Sequence, residues 1–404
     1  MMNKHVILIS VDAMVAEDVP LLLAMPRSRA LFGRRLFVRR METVYPSLTH
    51  PVHAAVLAAR PCGETGIINN THPDSSAWYN DLHELRCDTL LHAVHRAGLT
   101  VAVSRWPVTA RGNACIDWLI PEILDDDLIG RTMTQALADG GAGPVMDSVV
   151  RSNLHLLAQG NMRPGYDAFS AACAADMLRL YKPHLLLTHW GMVDTTRHAH
   201  GLFGPHIAQA LAYIDRWLGD LVDASAEAGI LDTTDFILMS DHGQLNIDRA
   251  LRLNALFAEK GLPAFARSAG LSAQVCVTDP AREADVHAAL TALKGFDVLT
   301  VQEVRARYGL FGDFTFVVDT DGHTAFENDC CLPLFVPSGS KKAAHGHLPH
   351  KGPQPPLLAT GPSFARRDID SGHVLDIAPT LAAILKTPFH GVPRMDWLHH
   401  ESEG

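Results

Sequence analysis

The sequence contains six carboxylate and imidazole side chains that follow apolar runs or lie in a late loop. They are Asp12, Asp194, His198, Asp241, His242 and His345. Carboxylate oxygens and imidazole nitrogens are ligands that suit Zn, Mn or Fe. Six such ligands can hold two metal ions, each with three protein ligands and open positions for a substrate. That is the pattern of a catalytic rather than a structural metal site.

Most of these side chains follow a stretch that predicts a buried strand. The runs 6–11, 184–188 and 235–239 are short and almost entirely apolar, as is typical of parallel strands buried on both faces. In open α/β sheets, ligands bind outside the carboxyl ends of the strands. Taken singly, a strand-end Asp or an Asp-His pair is equally well explained by a turn. The set of them together indicates a site.

Thr49 lies between two prolines, Pro46 and Pro51, and an alanine-rich helical pattern follows it. Because Pro is tolerated in a first helical turn, Thr49 is expected near a helix N-terminus, where free N–H groups and the helix dipole favour an anion. A hydroxyl at this position is more commonly a helix cap. It is also a candidate nucleophile. Asn70, after the next turn, places an amide donor nearby in sequence.

The pattern of apolar runs and helical stretches predicts an α/β protein with a mostly parallel central sheet flanked by helices. Its length of 404 residues allows one large domain with an insert, or two domains. We interpret residues 1–404 as a single catalytic domain. Residues 246–340 differ in character and are predicted to form a smaller inserted subdomain that could cap the site.

Composition narrows the classes of partner and compartment. The formal net charge of −10 argues against a surface for nucleic-acid polymers, which need a basic face. No apolar segment is long enough to span a membrane, and the apolar stretch after Lys4 runs directly into Asp12 without the form of a signal peptide. The seven cysteines show no CxxC spacing, so we expect reduced thiols in a cytoplasmic protein. A homo-oligomer is left open.

In the order of its motifs, the sequence resembles the alkaline phosphatase superfamily, and within it the nucleotide pyrophosphatase/phosphodiesterase branch. The resemblance covers most of the chain. It rests on Val11-Asp12-Ala13, Tyr45-Pro46-Ser47-Leu48-Thr49-His50-Pro51-Val52-His53, Gly66-Ile67-Ile68-Asn69-Asn70, Asp194-x3-His198, Ser240-Asp241-His242-Gly243, and His345-Gly346 followed by Gly361-Pro362.

The resemblance implies a role for each of these residues. Asp194, His198 and His345 would hold one zinc ion, and Asp12, Asp241 and His242 the other. Thr49 would face the second ion as the nucleophile that forms a phosphothreonine. Asn70 and the backbone N–H of Thr49 would stabilise a phosphoryl oxygen. The implied function is hydrolysis of phosphodiester or nucleotide pyrophosphate bonds in a small phosphate-ester substrate.

The loop around His345 differs from the family pattern at one position. Relatives usually have Tyr after His-Gly, where this chain has His347. We expect His345 to be the ligand, because Gly346 would let the loop pass close to the metals. His347 is then expected to line the substrate pocket, with His350 and Lys351 on its rim. The alternative is that all three histidines are exposed.

Two other functions use the same residues. A hydrolase of C–P bonds, of the phosphonoacetate hydrolase type, would need the same set of ligands. A sensor that binds a phosphate ligand without turnover is the alternative from outside the enzymes, although an intact Thr49 argues against it. Sulfate hydrolysis is disfavoured, because the segment from Cys62 does not match the CxPxR context of sulfatases.

Overall fold

The computed structural model describes residues 4–75 and 77–399. The strands, in chain order, are β1 (His5–Val11), β2 (Leu36–Glu42), β3 (Val101–Ser104), β4 (Trp118–Ile120), β5 (Leu185–Trp190), β6 (Thr234–Met239), β7 (Leu245–Asn246), β8 (Arg249–Leu251), β9 (Ala264–Ser268), β10 (Ser272–Val277), β11 (Asp297–Thr300), β12 (Phe316–Asp319), β13 (Thr324–Phe326), β14 (Phe335–Pro337), β15 (Ala343–Ala344), β16 (Leu357–Thr360) and β17 (Asp368–His373).

The α-helices, in the same order, are α1 (Val19–Ala24), α2 (Pro26–Phe32), α3 (Thr49–Ala58), α4 (Cys62–Thr65), α5 (Leu90–Arg96), α6 (Met133–Leu137), α7 (Arg151–Asn153), α8 (Gly165–Tyr181), α9 (Met192–His200), α10 (Pro205–Glu227), α11 (Leu253–Glu259), α12 (Glu283–Thr291), α13 (Val301–Tyr308) and α14 (Ile377–Ile384). Within residues 4–75 and 77–399, no helix is both long enough and apolar enough to cross a bilayer.

An eight-stranded sheet forms the centre of the molecule, in the order β17-β2-β16-β6-β1-β5-β3-β4. Strand β16 is antiparallel to both of its neighbours, and the other pairs are parallel. Strand β1 lies between β5 and β6, so the three apolar runs found in the sequence are adjacent at the centre. The predicted fold class, a mostly parallel sheet flanked by helices, is confirmed.

The central strands are apolar on both faces because both faces are covered by helices. All residues of β1, β5 and β6 are buried. In β1, Val6 and Leu8 join a core that includes side chains from α3, α5 and α14, and Ile7 and Ile9 join a second core that includes side chains from α8 and α10. This alternation follows from the two-residue period of a strand.

A second, smaller sheet is built from the segment predicted to be an insert. Strands β11, β12, β10 and β9 pair antiparallel in that order. Their apolar side chains form a separate core with residues from α11 and α12, including Phe257 and Leu290. These elements all lie within residues 246–340. The division of the chain into a catalytic domain and a cap stays a prediction.

Candidate metal centre and nucleophile

Parallel pairing brings the predicted ligands together at one edge of the sheet. Because β1, β5 and β6 are adjacent and parallel, their carboxyl ends meet there. Asp12 follows β1 directly, and its backbone N–H donates to the carbonyl oxygen of Trp190 at the end of β5 (3.0 Å). The first turn of α9 carries Asp194, and the residues after β6 include Asp241 and His242.

Asp194, His198 and His345 form the first ligand group, with their ligand atoms within 4.8 Å of one another. Asp194 and His198 are one turn apart on α9, and His198 Nε2 lies 3.3 Å from Asp194 Oδ1. His345 comes from the loop before β16, and its Nε2 lies 3.6 Å from the same oxygen.

Asp12, Asp241 and His242 form the second group, also within 4.8 Å of one another. His242 Nε2 lies 3.2 Å from Asp241 Oδ2 and 3.5 Å from Asp12 Oδ1. The rings of His242 and His345 stack with centroids 3.9 Å apart, so the two groups are in direct contact. The structure therefore brings together both trios that the sequence predicted.

Backbone carbonyls set the orientation of the three imidazoles. The Nδ1 atom of His198 lies 2.7 Å from the carbonyl oxygen of Ala343, and that of His345 lies 3.2 Å from the carbonyl oxygen of Ser47. His242 Nδ1 lies 3.2 Å from the carbonyl oxygen of Gly243. A carbonyl can only accept, so Nδ1 carries the proton and Nε2 keeps a lone pair. This is the arrangement of a metal-binding histidine with a fixed outer partner.

The electrostatics of the carboxylates fit bound cations. Asp12 Oδ1 and Asp241 Oδ2 are buried and have no hydrogen-bond partner among the described residues. Burial, reinforced by repulsion from Asp241 and Asp194, raises the pKa of Asp12 well above its usual range. Burial also lowers the pKa of His242 to about 3, which keeps that imidazole neutral. Divalent cations would supply the missing charge and ligation, so these residues fit two metal ions.

Thr49 is the first residue of α3 and faces the second ligand group. Its Oγ1 lies 3.3 Å from His242 Nε2. Asn70 lies at the same helix end, where its Oδ1 accepts a hydrogen bond from the backbone N–H of His50 (3.1 Å). That bond orients the Asn70 amide group, with Nδ2 as a donor. A hydroxyl, an amide donor and a helix N-terminus therefore converge beside the candidate metal centre.

Two neighbouring residues were assigned no role from the sequence. His53 lies one turn after Thr49 on α3, and its Nδ1 donates to the carbonyl oxygen of Thr49 (2.7 Å) while its Nε2 lies 2.8 Å from Ser10 Oγ. Gln244 donates from Nε2 to Asp194 Oδ1 (2.5 Å). The four-residue spacing of Thr49 and His53 in a predicted helix could have indicated that the two residues are neighbours. The contact of Gln244 with α9 could not be predicted from the sequence, because it depends on the tertiary fold.

Lys351 does not lie on an open substrate rim. Its Nζ contacts Asp319 Oδ1 (2.6 Å), Asp297 Oδ2 (2.8 Å) and the carbonyl oxygen of Thr320 (2.7 Å). An ammonium group has three donors, and these acceptors use all of them. These contacts therefore do not support a role for Lys351 in binding substrate. Lys351 instead neutralises the buried Asp319 carboxylate.

His347 is also enclosed. Its side chain is buried, and its Nε2 lies 3.0 Å from the carbonyl oxygen of Lys351. Its role in binding substrate stays a prediction. Gly346 has a φ of +101°, and a Cβ there would lie 1.9 Å from the carbonyl oxygen of Ala269. Close packing against Ala269, directly after β9, therefore requires a glycine here. From the sequence we expected Gly346 to let the loop pass close to the metals.

Comparison of the sequence with models of known protein families shows which family the chain belongs to. Residues 6–328 match the family described as type I phosphodiesterase/nucleotide pyrophosphatase. The chain belongs to this family, which confirms the resemblance found from the motifs. No curated protein matches the sequence.

Solved structures of the same class share the fold. Murine ectonucleotide pyrophosphatase/phosphodiesterase 5 superimposes with a TM-score of 0.72 at 16% identity, covering 98% of this chain and 100% of that one. An inactive threonine-to-alanine variant of the murine protein in complex with AMP gives the same values. The human protein gives a TM-score of 0.71 at 17% identity, with 98% and 100% coverage.

The ion pair of Lys351 generates a stability prediction. Lys351→Met should lower the free energy of unfolding by about 2–4 kcal/mol at pH 7.5, because it leaves the buried Asp319 carboxylate without its cation. Burial raises the pKa of Asp319 from 3.8 to about 6, so its carboxyl is protonated in the folded protein at low pH. The loss should therefore be small at pH 4.5 and grow as the pH rises through about 6.

Urea unfolding at the two pH values measures this difference. Lys260→Met, which removes an exposed lysine at the end of α11, is the matched control and should stay within about 0.5 kcal/mol of the parent. A stable Lys351→Met protein with a raised KM would instead support the substrate role.

A second prediction separates the two histidines of the loop. His345→Ala should lower metal content and turnover together, because it removes one of three ligands from the first group. His347→Ala should keep full metal occupancy. Elemental analysis of the two purified variants decides the assignment. Loss of metal from the His347 variant but not from the His345 variant would reverse it.

Proposed function

We propose that this protein hydrolyses phosphodiester or nucleotide pyrophosphate bonds with two divalent metal ions and a covalent phosphothreonine at Thr49. The observation that carries the proposal is the 3.3 Å separation of Thr49 Oγ1 and His242 Nε2. It places a hydroxyl at a helix N-terminus against one of two adjoining trios of metal-type ligands. Membership of the phosphodiesterase family supports this class of reaction.

Asp194, His198 and His345 would hold one ion, and Asp12, Asp241 and His242 the other. Zn²⁺ is favoured, because each trio mixes carboxylate and imidazole and leaves positions open, with Mn²⁺ or Fe as alternatives. Ions bound there would supply Lewis-acid stabilisation of the entering and leaving oxygens of an in-line displacement and favour the alkoxide form of a hydroxyl.

The protein's own residues would then carry out a double displacement. Thr49 Oγ forms a bond to phosphorus as the bond from phosphorus to the leaving oxygen breaks, and its proton is lost to solvent. The Asn70 amide and the backbone N–H of Thr49 donate to the equatorial phosphoryl oxygens. Water next attacks phosphorus, the bond to Thr49 Oγ breaks, and the hydroxyl is restored.

The structural neighbours support a nucleotide-like substrate. The murine protein is described as inactive after a threonine-to-alanine change, and that variant holds AMP. By analogy, a small phosphate ester such as a nucleotide fits this site. Seven cysteines without a disulfide support our proposal of a reducing, cytoplasmic location. Hydrolysis of a C–P bond and ligand sensing without turnover are the alternatives that the following tests address.

The nucleophile is tested with Thr49→Ala. We expect the variant to keep its metal content and melting temperature but to lose turnover by on the order of 10³-fold or more, because the covalent step is removed. Thr49→Ser is the matched control, since it keeps a hydroxyl, and should retain measurable activity. Turnover of the alanine variant within a few-fold of the parent would exclude the phosphothreonine. A zinc-loaded parent without any turnover would favour the sensor.

The substrate class follows from the charges near Thr49. Two buried or partly buried arginines, Arg105 and Arg163, both form ion pairs with Asp167. Their guanidinium nitrogens lie 2.9 Å and 3.3 Å from Asp167 Oδ1. Because both guanidinium groups already pair with this carboxylate, we expect neither to bind the second charge of a monoester. We expect a higher kcat/KM for a diester than for the matched monoester. A panel of both, with a dinucleotide and phosphonoacetate, measures this. A preference for the monoester or the phosphonate would overturn the assignment.

A further inference from the structure

A cavity of about 480 Å³ lies between the segments 66–75 and 77–86 on one side and the smaller sheet on the other. Its walls include Tyr79, Arg86, Arg267, Gln274, Phe311 and Phe314. Among the described residues, neither Thr49 nor any of the six candidate metal ligands is part of its walls. The cavity is large enough for a small organic ligand, and the proposed reaction gives it no role.

The cavity presents two guanidinium groups that lack a close carboxylate. Arg86 lies over Gly66, where a Cβ would come within 2.7 Å of its Cδ and Nε, and it has no ion-pair partner within residues 4–75 and 77–399. The carboxylate nearest to Arg267 belongs to Asp74, at 4.0 Å, with a side chain that is 94% exposed. Such an exposed contact contributes little. Among the described residues that line the cavity, Asp313 is the one acidic residue, against two arginines. The walls therefore carry a net positive charge.

The same cavity offers aromatic surface. Phe311, Phe314 and Tyr79 contribute to the walls. The Tyr79 ring lies against the His72 ring, with centroids 3.9 Å apart, and His72 is held in turn by Glu84 at 2.8 Å. Two cationic groups beside aromatic side chains match a ligand with a flat ring and an anionic substituent. The ring would contact the aromatic side chains, and the anionic substituent would bind the guanidinium groups.

The cavity borders the loop that carries Asn70. Asn69 and Thr71 line the cavity, while Asn70 between them bonds to the backbone N–H of His50 at the start of α3. The cavity is therefore separate from the candidate catalytic site and shares one wall segment with it.

We propose that this cavity is a second ligand site, specific for a small aromatic anion. Arg86 and Arg267 bind the anionic group, as guanidinium groups do with carboxylate, sulfonate or phosphate oxygens. Phe311, Phe314 and Tyr79 contact the ring. This inference does not depend on the proposed reaction, since it uses no residue of the metal centre.

The test is binding of 2-naphthalenesulfonate to the metal-loaded protein, measured by calorimetry. This probe combines a flat ring with one anionic group and carries no phosphoryl group. The double variant Arg86→Gln/Arg267→Gln should bind it about tenfold or more weakly, because two charge-assisted contacts are lost. The control Arg216→Gln/Arg307→Gln removes the same charge from exposed positions outside the cavity and should bind as the parent does.

A neutral probe completes the experiment. 2-Naphthalenesulfonamide should bind the parent more weakly than the sulfonate does, and it should not distinguish the parent from the Arg86/Arg267 double variant. Equal affinity of the parent and the double variant for the sulfonate would overturn the proposal. Equal weakening in the control variant would do the same, since it would show an effect of overall charge. If the double variant does not fold, the single variant Arg86→Gln replaces it, because Arg86 is at an exposed position. Its affinity for the sulfonate is then compared with that of the parent.

Discussion

Three carboxylates meet where the central strands end, and their mutual repulsion is the constraint on which the rest of the site depends. Asp12 and Asp241 are buried, and Asp194 retains only 15% of its side-chain exposure. Burying ionised carboxylates is costly unless opposite charge is supplied. Burial alone would raise the pKa of Asp194, but His198 and His345 hold it well below its usual range. For Asp12, burial and repulsion from Asp241 and Asp194 outweigh the attraction of Arg163, and its pKa is raised well above its usual range. Divalent cations bound there would supply the opposite charge that these carboxylates need.

The topology of the sheet explains how ligands from distant parts of the chain reach one place. The parallel strands β1, β5 and β6 all deliver their following residues to the same edge. Strand β16 runs against β6, so its beginning lies at that edge and the loop before it returns there with His345. A parallel β16 would have carried this loop to the other end of the sheet.

Backbone carbonyls then fix the imidazoles. The three carbonyl groups that hold His198, His345 and His242 belong to Ala343, Ser47 and Gly243, so two of the three lie far from their histidine in sequence. Gly346 makes the loop fit against the smaller sheet at Ala269. The orientation of the candidate ligands thus depends on segments that are distant from one another in sequence.

The division of the six candidate ligands into two trios came from the family resemblance. The sequence by itself determined the central buried strands and the position of Thr49 at a helix start. These features are local, because short apolar runs and prolines carry them. Only the tertiary structure decided the partner of Lys351, the enclosure of His347, the contact of Gln244 with Asp194 and the second cavity. Each of these features depends on contacts between segments that are distant in sequence. Neither hydrophobic periodicity nor the spacing of residues along the chain specifies which distant segments come into contact. Burial then decides the outcome, because a buried charge such as Asp319 must take the nearest available cation.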